Sequence, residues 1–380
     1  MTKYFLRRLG YFVPTLFLVA ILLFFIKSFL PGDPIEDYLS SYSDLQQDDS
    51  FFLAEYDKLS KKWGYQKPPF YFTIQPSRYP ENIYSVIPLS KRRELIEKEL
   101  SKGFSMPKLK WFGTNNQFHQ WFLGVCKLNL GVSTIDGRTV QKKISKSLGW
   151  TFSLIFLSLL IATLISFPLG IWQANTGKRR LKKITEILGF VFYSIPLFWL
   201  CLLALIFFAS DSYGLRIFAL PDFDPLLASK GFWFGLGQQW TKLLLPAICW
   251  SLHSAAYLST QLKTSIMDER SSPYVRTAIA KGLSVSQVSK KHILRNAMLP
   301  IITIYFSTIP TVLAGSVVIE TIFNIPGIGR LLVGSIFNSD WNVVIGIALL
   351  SAVVTMLSYL IADFLYSRVD PRIKFSTDES

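Results

Sequence analysis

Long runs of apolar residues, separated by polar and charged stretches, set the pattern of this 380-residue chain. A membrane-spanning helix needs ~20 mostly apolar residues to cross the hydrocarbon core of a bilayer. The runs that meet this length are Leu9–Leu30, Gly149–Trp172, Ile184–Ala209, Leu243–Leu262, Ala297–Ile319 and Val343–Tyr366. The pattern therefore predicts an all-α integral membrane protein with six transmembrane helices.

Charge predicts the orientation of these helices. The net charge is +15, which could indicate either nucleic acid or a membrane surface as partner. Basic residues cluster before residue 9, at 178–183, at 263–295 and after residue 367, whereas the short segments on the other side have only Arg216, Lys230, Lys242 and Arg330. Because basic residues near helix ends resist translocation, both termini are predicted to be cytoplasmic. The charge is then a feature of topology, and no nucleic acid is expected as partner.

The first run follows basic residues, as in a signal peptide, but no small-residue cleavage site follows it. We interpret it as an uncleaved helix. The segment 31–148 is then external, since a loop of this length crosses the membrane largely regardless of charge. Within it, Asp44–Lys67 and Lys91–Lys102 have the pattern of short charged helices, and prolines interrupt the chain between them. We expect a small folded cap.

Signatures of enzymes and metal sites are missing from the sequence. No G-x-x-x-x-G-K-[ST], H-E-x-x-H or G-x-S-x-G motif occurs. The three histidines are far apart, and the three cysteines have no metal-ligand spacing. We predict no catalytic residue, no metal site and no ATP site in this chain.

Ionisable residues are scarce within the six runs. Lys27 and Glu320 lie near predicted helix ends, where they can snorkel or meet water, and Asp363 is close to the cytoplasmic end of the sixth span. His253 is the exception. Two interpretations of it remain open: an imidazole packed inside a helix bundle, or part of the lining of a polar pathway.

The basic stretch from Ser271 to Pro300 contains signals for two helices. Ser272 and Pro273 suit the cap and first position of a helix, and Gly282 suits its end. The sequence Ser284-Val285-Ser286-Gln287 is a capping box, which predicts a second helix leading into the fifth span.

The first of these helices is too short to be stable alone in water. Tyr274 with Ala278, and Val275 with Ile279, make one side apolar, while Arg276 and Lys281 form a polar rim. Such a helix could rest on lipid headgroups or fit a groove of a partner protein, and the residues alone leave both open.

The same stretch resembles the permease subunits of binding-protein-dependent ABC importers in the dipeptide/oligopeptide branch. The family's E-A-A-x-x-x-G signature is matched by Arg276-Thr277-Ala278-Ile279-Ala280-Lys281-Gly282, with Arg and Thr in place of Glu and the first Ala. Further matches, in the family's order, are LPGDP (Leu30–Pro34), LNLGVS (Leu128–Ser133), VIETIFNIPGIGRLL (Val318–Leu332) and DPRIK (Asp370–Lys374). The segment Ile74–Lys110 departs from the family and resembles an insertion.

This resemblance implies a type I ABC importer permease fold with an enlarged external loop between the first two helices. The expected parts are 1–30 (cytoplasmic N-terminus and first helix), 31–148 (external cap, with the insertion near 74–110), 149–367 (permease core, with the cytoplasmic coupling region 263–297) and 368–380 (cytoplasmic tail). It also implies residence in a bacterial inner membrane, a second homologous permease subunit, two cytoplasmic ATPase subunits that bind the ATP and Mg²⁺, and an extracytoplasmic peptide-binding protein. The chain itself would hold no cofactor.

Candidate functional residues follow from the residues and the resemblance together. The ATPase-coupling helix would be Tyr274, Val275, Arg276, Thr277, Ala278, Ile279, Ala280, Lys281 and Gly282. Hydroxyl and aromatic side chains of the fifth span, together with His253, are candidates for the translocation path or for close helix packing: Tyr305, Ser307, Thr308 and Thr311. The NIPGIGR segment is expected to form a tight external turn before a short helix, with Gly327 and Gly329 supplying backbone freedom and Arg330 facing an outer gate or the binding protein.

Function is therefore expected to be import of di- or oligopeptides, although relatives in this family also carry nickel, antibiotic peptides or murein fragments. A self-sufficient secondary transporter or channel for small polar solutes is the alternative, and an intramembrane enzyme would need a reactive constellation. Neither of these accounts for the short helix that ends at Gly282.

Overall fold

In the computed structural model of the protein, the described residues are 2–29, 33, 35–36, 38–39, 49–77, 79, 83–86, 89–101, 103, 106–210, 214–224, 227 and 232–369. The helices are α1 (Thr2–Phe29), α2 (Asp49–Trp63), α3 (Leu89–Leu100), α4 (Gln117–Cys126), α5 (Val140–Asn175), α6 (Arg179–Ser194), α7 (Leu197–Phe208), α8 (Phe232–Gln239), α9 (Leu244–Arg270), α10 (Pro273–Ala280), α11 (Val285–Val288), α12 (Leu294–Ile322), α13 (Ile328–Phe337) and α14 (Trp341–Val369). Two short strands are also present, β1 (Phe72–Pro76) and β2 (Pro107–Trp111), together with 3-10 turns at Ile83–Ser85 and Trp240–Leu243 and a π-helical turn at Ser289–Ile293.

Three segments in this part of the chain are long and apolar enough to cross a membrane: Arg8–Ser28, Val140–Asn175 and Trp341–Phe364. They coincide with the first, second and sixth predicted spans. The bent pair α6 and α7 would be a fourth if it crosses as one unit. A mostly helical fold with three candidate membrane spans, or four with the bent pair, is thus found in the described residues, whereas the full set of six spans stays a prediction.

The third predicted span is not one straight helix. Helices α6 and α7 meet at 99°, and the break lies at Ile195 and Pro196. Ile195 is extended, with φ −69° and ψ 125°. A proline disfavours helical geometry at the residue before it, so this dipeptide ends the first helix and starts the second. The expectation of a continuous helix over Ile184–Ala209 is wrong for this reason.

The chain forms two compact units. The first unit comprises residues 1–12, 145–334 and 351–380, and α9 packs there against α6, α7 and α12. Small residues allow the close approach that helix packing without a strong hydrophobic drive requires. A Cβ added at Gly170 of α5, for example, would lie 2.8 Å from the carbonyl oxygen of Ser259 on α9. Glycine at position 170 therefore lets α5 approach the backbone of α9 closely.

The second unit comprises residues 13–144 and 335–350. Its strands β1 and β2 are antiparallel, with Thr73 opposite Lys110 and Ile74 opposite Leu109. The two ends of the Ile74–Lys110 segment, which the sequence sets apart as an insertion, therefore lie on adjacent paired strands. An excursion that leaves and returns at one ladder can be added to a fold without displacing what precedes and follows it.

Helix α2 lies within the predicted charged helix Asp44–Lys67, and α3 overlaps the predicted Lys91–Lys102 but begins two residues earlier, at Leu89. Residues 44–48 and 102 lie outside the described part. The guanidinium of Arg92 fixes α3 to its surroundings. It is largely buried and donates to the carbonyl oxygens of Tyr84, at 2.7 Å, and Val86, at 3.1 Å. Hydrogen bonds to backbone oxygens satisfy the buried cation without a carboxylate.

Candidate functional site

Helix α10 has the bounds that its local signals predict. Ser272 is extended at the N-cap and Pro273 is the first helical residue. The Ser272 side chain makes no capping hydrogen bond, and its carbonyl oxygen instead accepts from the Val275 N–H at 3.1 Å. Gly282 has φ +89°, a left-handed conformation that glycine adopts at low cost. The helix stop at Gly282 is thereby confirmed.

The predicted capping box is also confirmed. The Ser284 N–H donates to Oε1 of Gln287 at 3.1 Å, and the Gln287 N–H donates to Oγ of Ser284 at 3.3 Å. These reciprocal bonds satisfy N–H groups that a helix start leaves free. The chain then passes through one π-helical turn, Ser289–Ile293, into α12. Helix α10 is thus joined to α12 by a short, capped connection.

The apolar side of α10 is covered by helices of the same chain. Val275 is 3% exposed and belongs to a buried cluster with Ile266 of α9 and Ile301 of α12. Ile279, by contrast, is 46% exposed, so the expected pairing of Val275 and Ile279 on one apolar side is wrong. The inner side of the helix is formed instead by Val275 together with the i,i+4 pair Tyr274 and Ala278.

Tyr274 ties α10 to both neighbouring helices. Its hydroxyl donates to the carboxylate of Glu269 on α9 and accepts from Nδ2 of Asn296 on α12 at 3.1 Å. Burial, and then the hydrogen bond to Glu269, raise the pKa of Tyr274 to about 12. The phenol therefore remains protonated at neutral pH and keeps donating to Glu269. A displacement of α10 would be passed to α9 and α12 through these bonds.

The outer side of α10 is open. Arg276, Thr277, Ile279, Ala280 and Lys281 are all exposed. This surface has two cations flanking small and apolar side chains. The exposed side of α10 therefore combines two cations with one large apolar side chain, Ile279.

Replacing Tyr274 by Phe is expected to loosen α10 without unfolding the chain. The change removes a donor to Glu269 and an acceptor for Asn296, each worth about 1 kcal/mol. Amides of residues 273–282 should therefore exchange with deuterium several-fold faster, as measured by mass spectrometry. Thr277→Val is the control, because the Thr277 hydroxyl bonds only back to the carbonyl of Pro273 among the described contacts. Equal exchange in both variants would contradict the anchoring role of Tyr274.

Two of the candidate path residues line one cavity. His253 of α9 and Tyr305 of α12 border a cavity of about 310 Å³ together with Ser158, Tyr193 and Tyr257. All its described lining residues are uncharged or histidine. The backbones of Ser307, Thr308 and Thr311 continue along α12, but their side chains lie outside the described part. The sequence thus picked two residues that the fold brings together.

His253 combines the two interpretations that the sequence left open. Its ring stacks on Tyr193, with centroids 5.3 Å apart and planes inclined by 17°, and Nδ1 lies 3.4 Å from the carbonyl oxygen of Phe192. It is therefore packed, yet it also borders the cavity. Tyr305 reaches the same space, and its hydroxyl lies 2.6 Å from that of Thr163. Hydroxyl, imidazole and aromatic groups can bind a polar solute without selecting for charge.

The NIPGIG turn is built around Glu320. This residue is fully buried, whereas the sequence suggested that it meets water. Its carboxylate accepts from the N–H groups of Gly329, at 2.6 Å, and Arg330, at 3.1 Å, and from the hydroxyl of Thr151 at 2.7 Å. Gly329 and Arg330 lie in the first turn of α13, and a carboxylate at a helix N-terminus is favoured by the free N–H groups there.

Glycine is required in this turn for space. Neither Gly327 nor Gly329 has a positive φ, so the expected role of backbone freedom is wrong. A Cβ at Gly327 would collide with the Glu320 carboxylate, and one at Gly329 would lie 2.5 Å from Cα of Val317. The backbone must approach α12 this closely for its N–H groups to reach the carboxylate. The tight turn before a short helix is confirmed, and Arg330, exposed beside it, donates through Nη1 to the carbonyl oxygen of Asn324 at 2.9 Å.

Comparison with known families bears on what these elements do. The profile of the family described as "Binding-protein-dependent transport system inner membrane component" matches residues 166–375, more than half of the chain. The chain belongs to this family. The matched range includes α10 and the residues His253, Tyr305 and Glu320, whereas Ser158 of the cavity and Thr151 beside Glu320 precede it.

Relatives of the permease are similar over almost its whole length. The "Oligopeptide transport system permease protein AppB" of Bacillus subtilis is 29% identical over 99% of this chain and 100% of its own. The "Peptidoglycan transport system permease protein YejB" of Agrobacterium fabrum is 31% identical over 99% of both chains. A solved structure, "Crystal structure of an amino acid ABC transporter with histidines", aligns with 65% of this chain and 98% of its own, at 16% identity and a TM-score of 0.44.

Sequence reasoning missed a second buried carboxylate of the permease. Asp340, just before α14, is fully buried and accepts from the Ser133 hydroxyl at 2.5 Å and from the Thr134 N–H at 3.2 Å. The ammonium of Lys143 lies 3.5 Å from it. Ser133 belongs to the LNLGVS motif, so this motif is one half of a buried polar contact. Its partner is 207 residues away, and no local pattern signals that pairing.

Proposed function

We propose that this chain is the transmembrane subunit of an ABC importer for di- and oligopeptides, driven by ATP hydrolysis on separate cytoplasmic ATPase subunits. The observation that carries the proposal is α10: a short helix, packed on its inner side against α9 and α12, with an exposed outer surface of Arg276, Ile279 and Lys281. Membership of the family supports the same conclusion.

Coupling requires a peg that moves as one body with the transmembrane helices. Val275 in the buried cluster and Tyr274 between Glu269 and Asn296 supply that attachment. In the proposed mechanism the outer surface of α10 sits in a cleft of an ATPase subunit. Closure of the ATPase pair on ATP displaces α10, and α9 and α12 then tilt the walls of the His253 cavity from inward-facing to outward-facing, until hydrolysis resets them.

The remaining components follow from the same proposal. Six spans with both termini in the cytoplasm would put α10 on the ATPase side of a bacterial inner membrane. A second, homologous permease subunit would complete the pathway, two ATPase subunits would bind the ATP and Mg²⁺, and an extracytoplasmic binding protein would deliver the cargo. Gly327, Gly329 and Arg330 would then lie at the external gate.

Peptides are the proposed cargo for two reasons. The relatives include permeases named for oligopeptide and peptide transport. The cavity at His253 and Tyr305 also offers hydroxyl, imidazole and aromatic groups and, among its described lining, no carboxylate or ammonium. Such a lining can hydrogen-bond a peptide backbone while accepting side chains of either charge.

Charge reversal on α10 tests the coupling. In the double variant Arg276→Glu, Lys281→Glu, ATP-driven peptide uptake and copurification of the ATPase subunits should fall at least about tenfold, since like charges that face each other across an interface cost well over ~1.4 kcal/mol. The chain should remain in the membrane, because both side chains are exposed and neither is packed in the core.

Arg180→Glu is the matched control. Arg180 is equally exposed, at the start of α6, and lies on the same predicted side of the membrane. Uptake should stay near the wild-type level in this variant. Unchanged uptake and ATPase assembly in the α10 double variant would overturn the proposed coupling, and loss of uptake in both variants would assign the effect to general charge.

A further inference from the structure

A second cavity lies within the unit of residues 13–144 and 335–350. Its volume is about 360 Å³, which is in the usual range for small-ligand sites. The described lining residues are Lys27, Lys62, Trp63, Tyr65, Gln117, Gln120, Trp121, Gly124, Asn129, Leu130, Gly131, Val132 and Asn342. Two of them are cations, and none of those described is a carboxylate.

Lys27 lies at the end of the first membrane span, Arg8–Ser28, and its side chain is partly buried. Its ammonium donates to Oδ1 of Asn342 at 2.8 Å. Within the described part of the chain, no carboxylate comes within ion-pair distance of it. A cation taken partly out of water is costly unless an anion or several acceptors replace the lost hydration, and one neutral amide does so only in part.

Lys62 is the second cation, and it differs from its neighbours on α2. Lys58 pairs with Glu55 at 3.2 Å and Lys61 pairs with Asp57 at 2.6 Å. Among the described residues, Lys62 has no carboxylate within 4.0 Å and borders the cavity instead. The lysine whose side chain reaches the cavity is therefore the one on this helix without such a pair.

The rest of the lining suits a peptide rather than a simple ion. The side-chain amides of Gln120 and Asn129 can donate to and accept from a peptide backbone. The rings of Trp63 and Trp121 offer apolar surface beside the cations. A lipid phosphate would use the two ammonium groups alone and leave the amides and rings without a role.

We propose that this cavity binds the free C-terminal carboxylate of a short peptide, held between Lys27 and Lys62, with the preceding residue against the tryptophans. The inference rests on the proposed function in taking the ligand to be a peptide. It adds a second binding site, at the predicted external end of the first span, that recognises the end of the cargo by charge, whereas the described lining of the His253 cavity holds no carboxylate or ammonium.

Binding of one dipeptide in two forms tests this site. The full-length chain, with any subunits that copurify, is placed in phosphatidylcholine nanodiscs without binding protein, and radiolabelled alanyl-phenylalanine and its C-terminal amide are compared by equilibrium dialysis. The acid should bind about tenfold more tightly than the amide, because charge-assisted hydrogen bonds are the stronger kind. In the variants Lys62→Gln and Lys27→Gln, the affinity for the acid should fall close to the affinity for the amide.

Lys61→Gln is the matched control, since Lys61 is one residue away but paired with Asp57, and it should keep the preference for the acid. Lys62 is exposed, so its variant tests the site even where Lys27→Gln fails to insert. Equal binding of acid and amide, an unaltered preference in Lys62→Gln, or no binding up to about 10 mM, ten times a typical weak dissociation constant, would overturn the site.

Lipid as the occupant is a separate outcome. If added phosphatidylglycerol displaces the dipeptide in proportion to its content, the cavity is a headgroup site and the peptide assignment is wrong. ATP-driven uptake, measured in parallel with the binding protein present, tests the proposed function on its own. Peptide uptake without a preference for the free carboxylate would contradict this binding site alone. Absence of peptide uptake would contradict the proposed function.

Discussion

Gly329→Ala is expected to destabilise the protein by about 3 kcal/mol, because adding a methyl group here is overpacking against backbone. The new Cβ would lie 2.5 Å from Cα and 2.8 Å from N of Val317, atoms that no rotamer change can move. Relief requires α13 to shift away from α12. That shift lengthens the hydrogen bonds from the N–H groups of Gly329 and Arg330 to Glu320.

The consequence extends beyond sterics. Glu320 is fully buried, and its carboxylate depends on these donors and the Thr151 hydroxyl in place of water. A buried carboxylate that loses its donors costs far more than a surface one. We therefore expect the melting temperature of the detergent-solubilised protein to fall by about 5 °C or more, with reduced yield of membrane-inserted protein.

Gly334→Ala is the control for this variant. Gly334 lies on the same helix, α13, and a Cβ there would meet no heavy atom within 4 Å. Alanine is the better helix former by about 1 kcal/mol, so this variant should melt at or slightly above the wild-type temperature. Equal melting of the Gly329 and Gly334 variants would contradict the close approach of α13 to α12.

The contrast between α10 and the Glu320 turn shows what a sequence can predict. The bounds of α10 depend on neighbours in the chain: a proline at the first position, a glycine with left-handed backbone and a Ser-x-x-Gln box. All are local, and all are confirmed. The glycines of the turn are also visible in the sequence, but the role predicted for them, backbone freedom, was wrong. They are needed for space, because the atoms that exclude a Cβ belong to another helix.

Run length alone was a poor guide to the third span. The apolar run Ile184–Ala209 is long enough to cross a membrane, and the structure bends it by 99° at a proline. The signal was local and present, since the residue before a proline resists helical geometry. Strands β1 and β2 had no such signal, because their pairing joins residues more than 30 positions apart and one of them ends in a proline.

The candidate pathway lies between these cases. His253 and Tyr305 are 52 positions apart in the sequence and stood out for their polarity within apolar runs, and both line the 310 Å³ cavity. Tyr193 and Ser158 line the same cavity but look like ordinary helix residues in the sequence. Polarity in an apolar run predicts which residues matter, whereas the neighbours that complete a cavity depend on helix packing.

Asp340→Ala is expected to cost about 3–5 kcal/mol, the range measured when one partner of a buried charge pair is removed. The carboxylate accepts from Ser133 and Thr134, and the Lys143 ammonium, only 16% exposed, lies 3.5 Å from it. Removing the carboxylate leaves a largely buried cation beside two donors without their acceptor. Because Ser133 and Lys143 flank the start of α5, the start of α14 would lose its attachment to that helix.

Asp136→Asn separates this effect from the loss of any carboxylate near Lys143. Asp136 lies 3.3 Å from the same ammonium but is 32% exposed, and exposed pairs contribute about 1 kcal/mol or less. Burial raises the pKa of Asp136, but the Arg138 N–H, the Ser133 hydroxyl and Lys143 together bring it below its ordinary value of 3.8. That stabilisation is present above pH 3.8 and disappears only as the pH falls through the lowered pKa, so at pH 7 the Asn variant should show its full, small loss.

The two variants are compared by heating the detergent-solubilised protein at pH 7, without denaturant, and measuring the fraction that stays unaggregated by size-exclusion chromatography. Asp340→Ala should aggregate at a temperature well below the wild type, and Asp136→Asn within about 2 °C of it. Because Asp340 and Ser133 lie 207 positions apart, the difference reports a long-range contact rather than a local turn. If both variants melt together, Lys143 is satisfied by solvent, and Asp340 does not hold the LNLGVS motif to the start of α14.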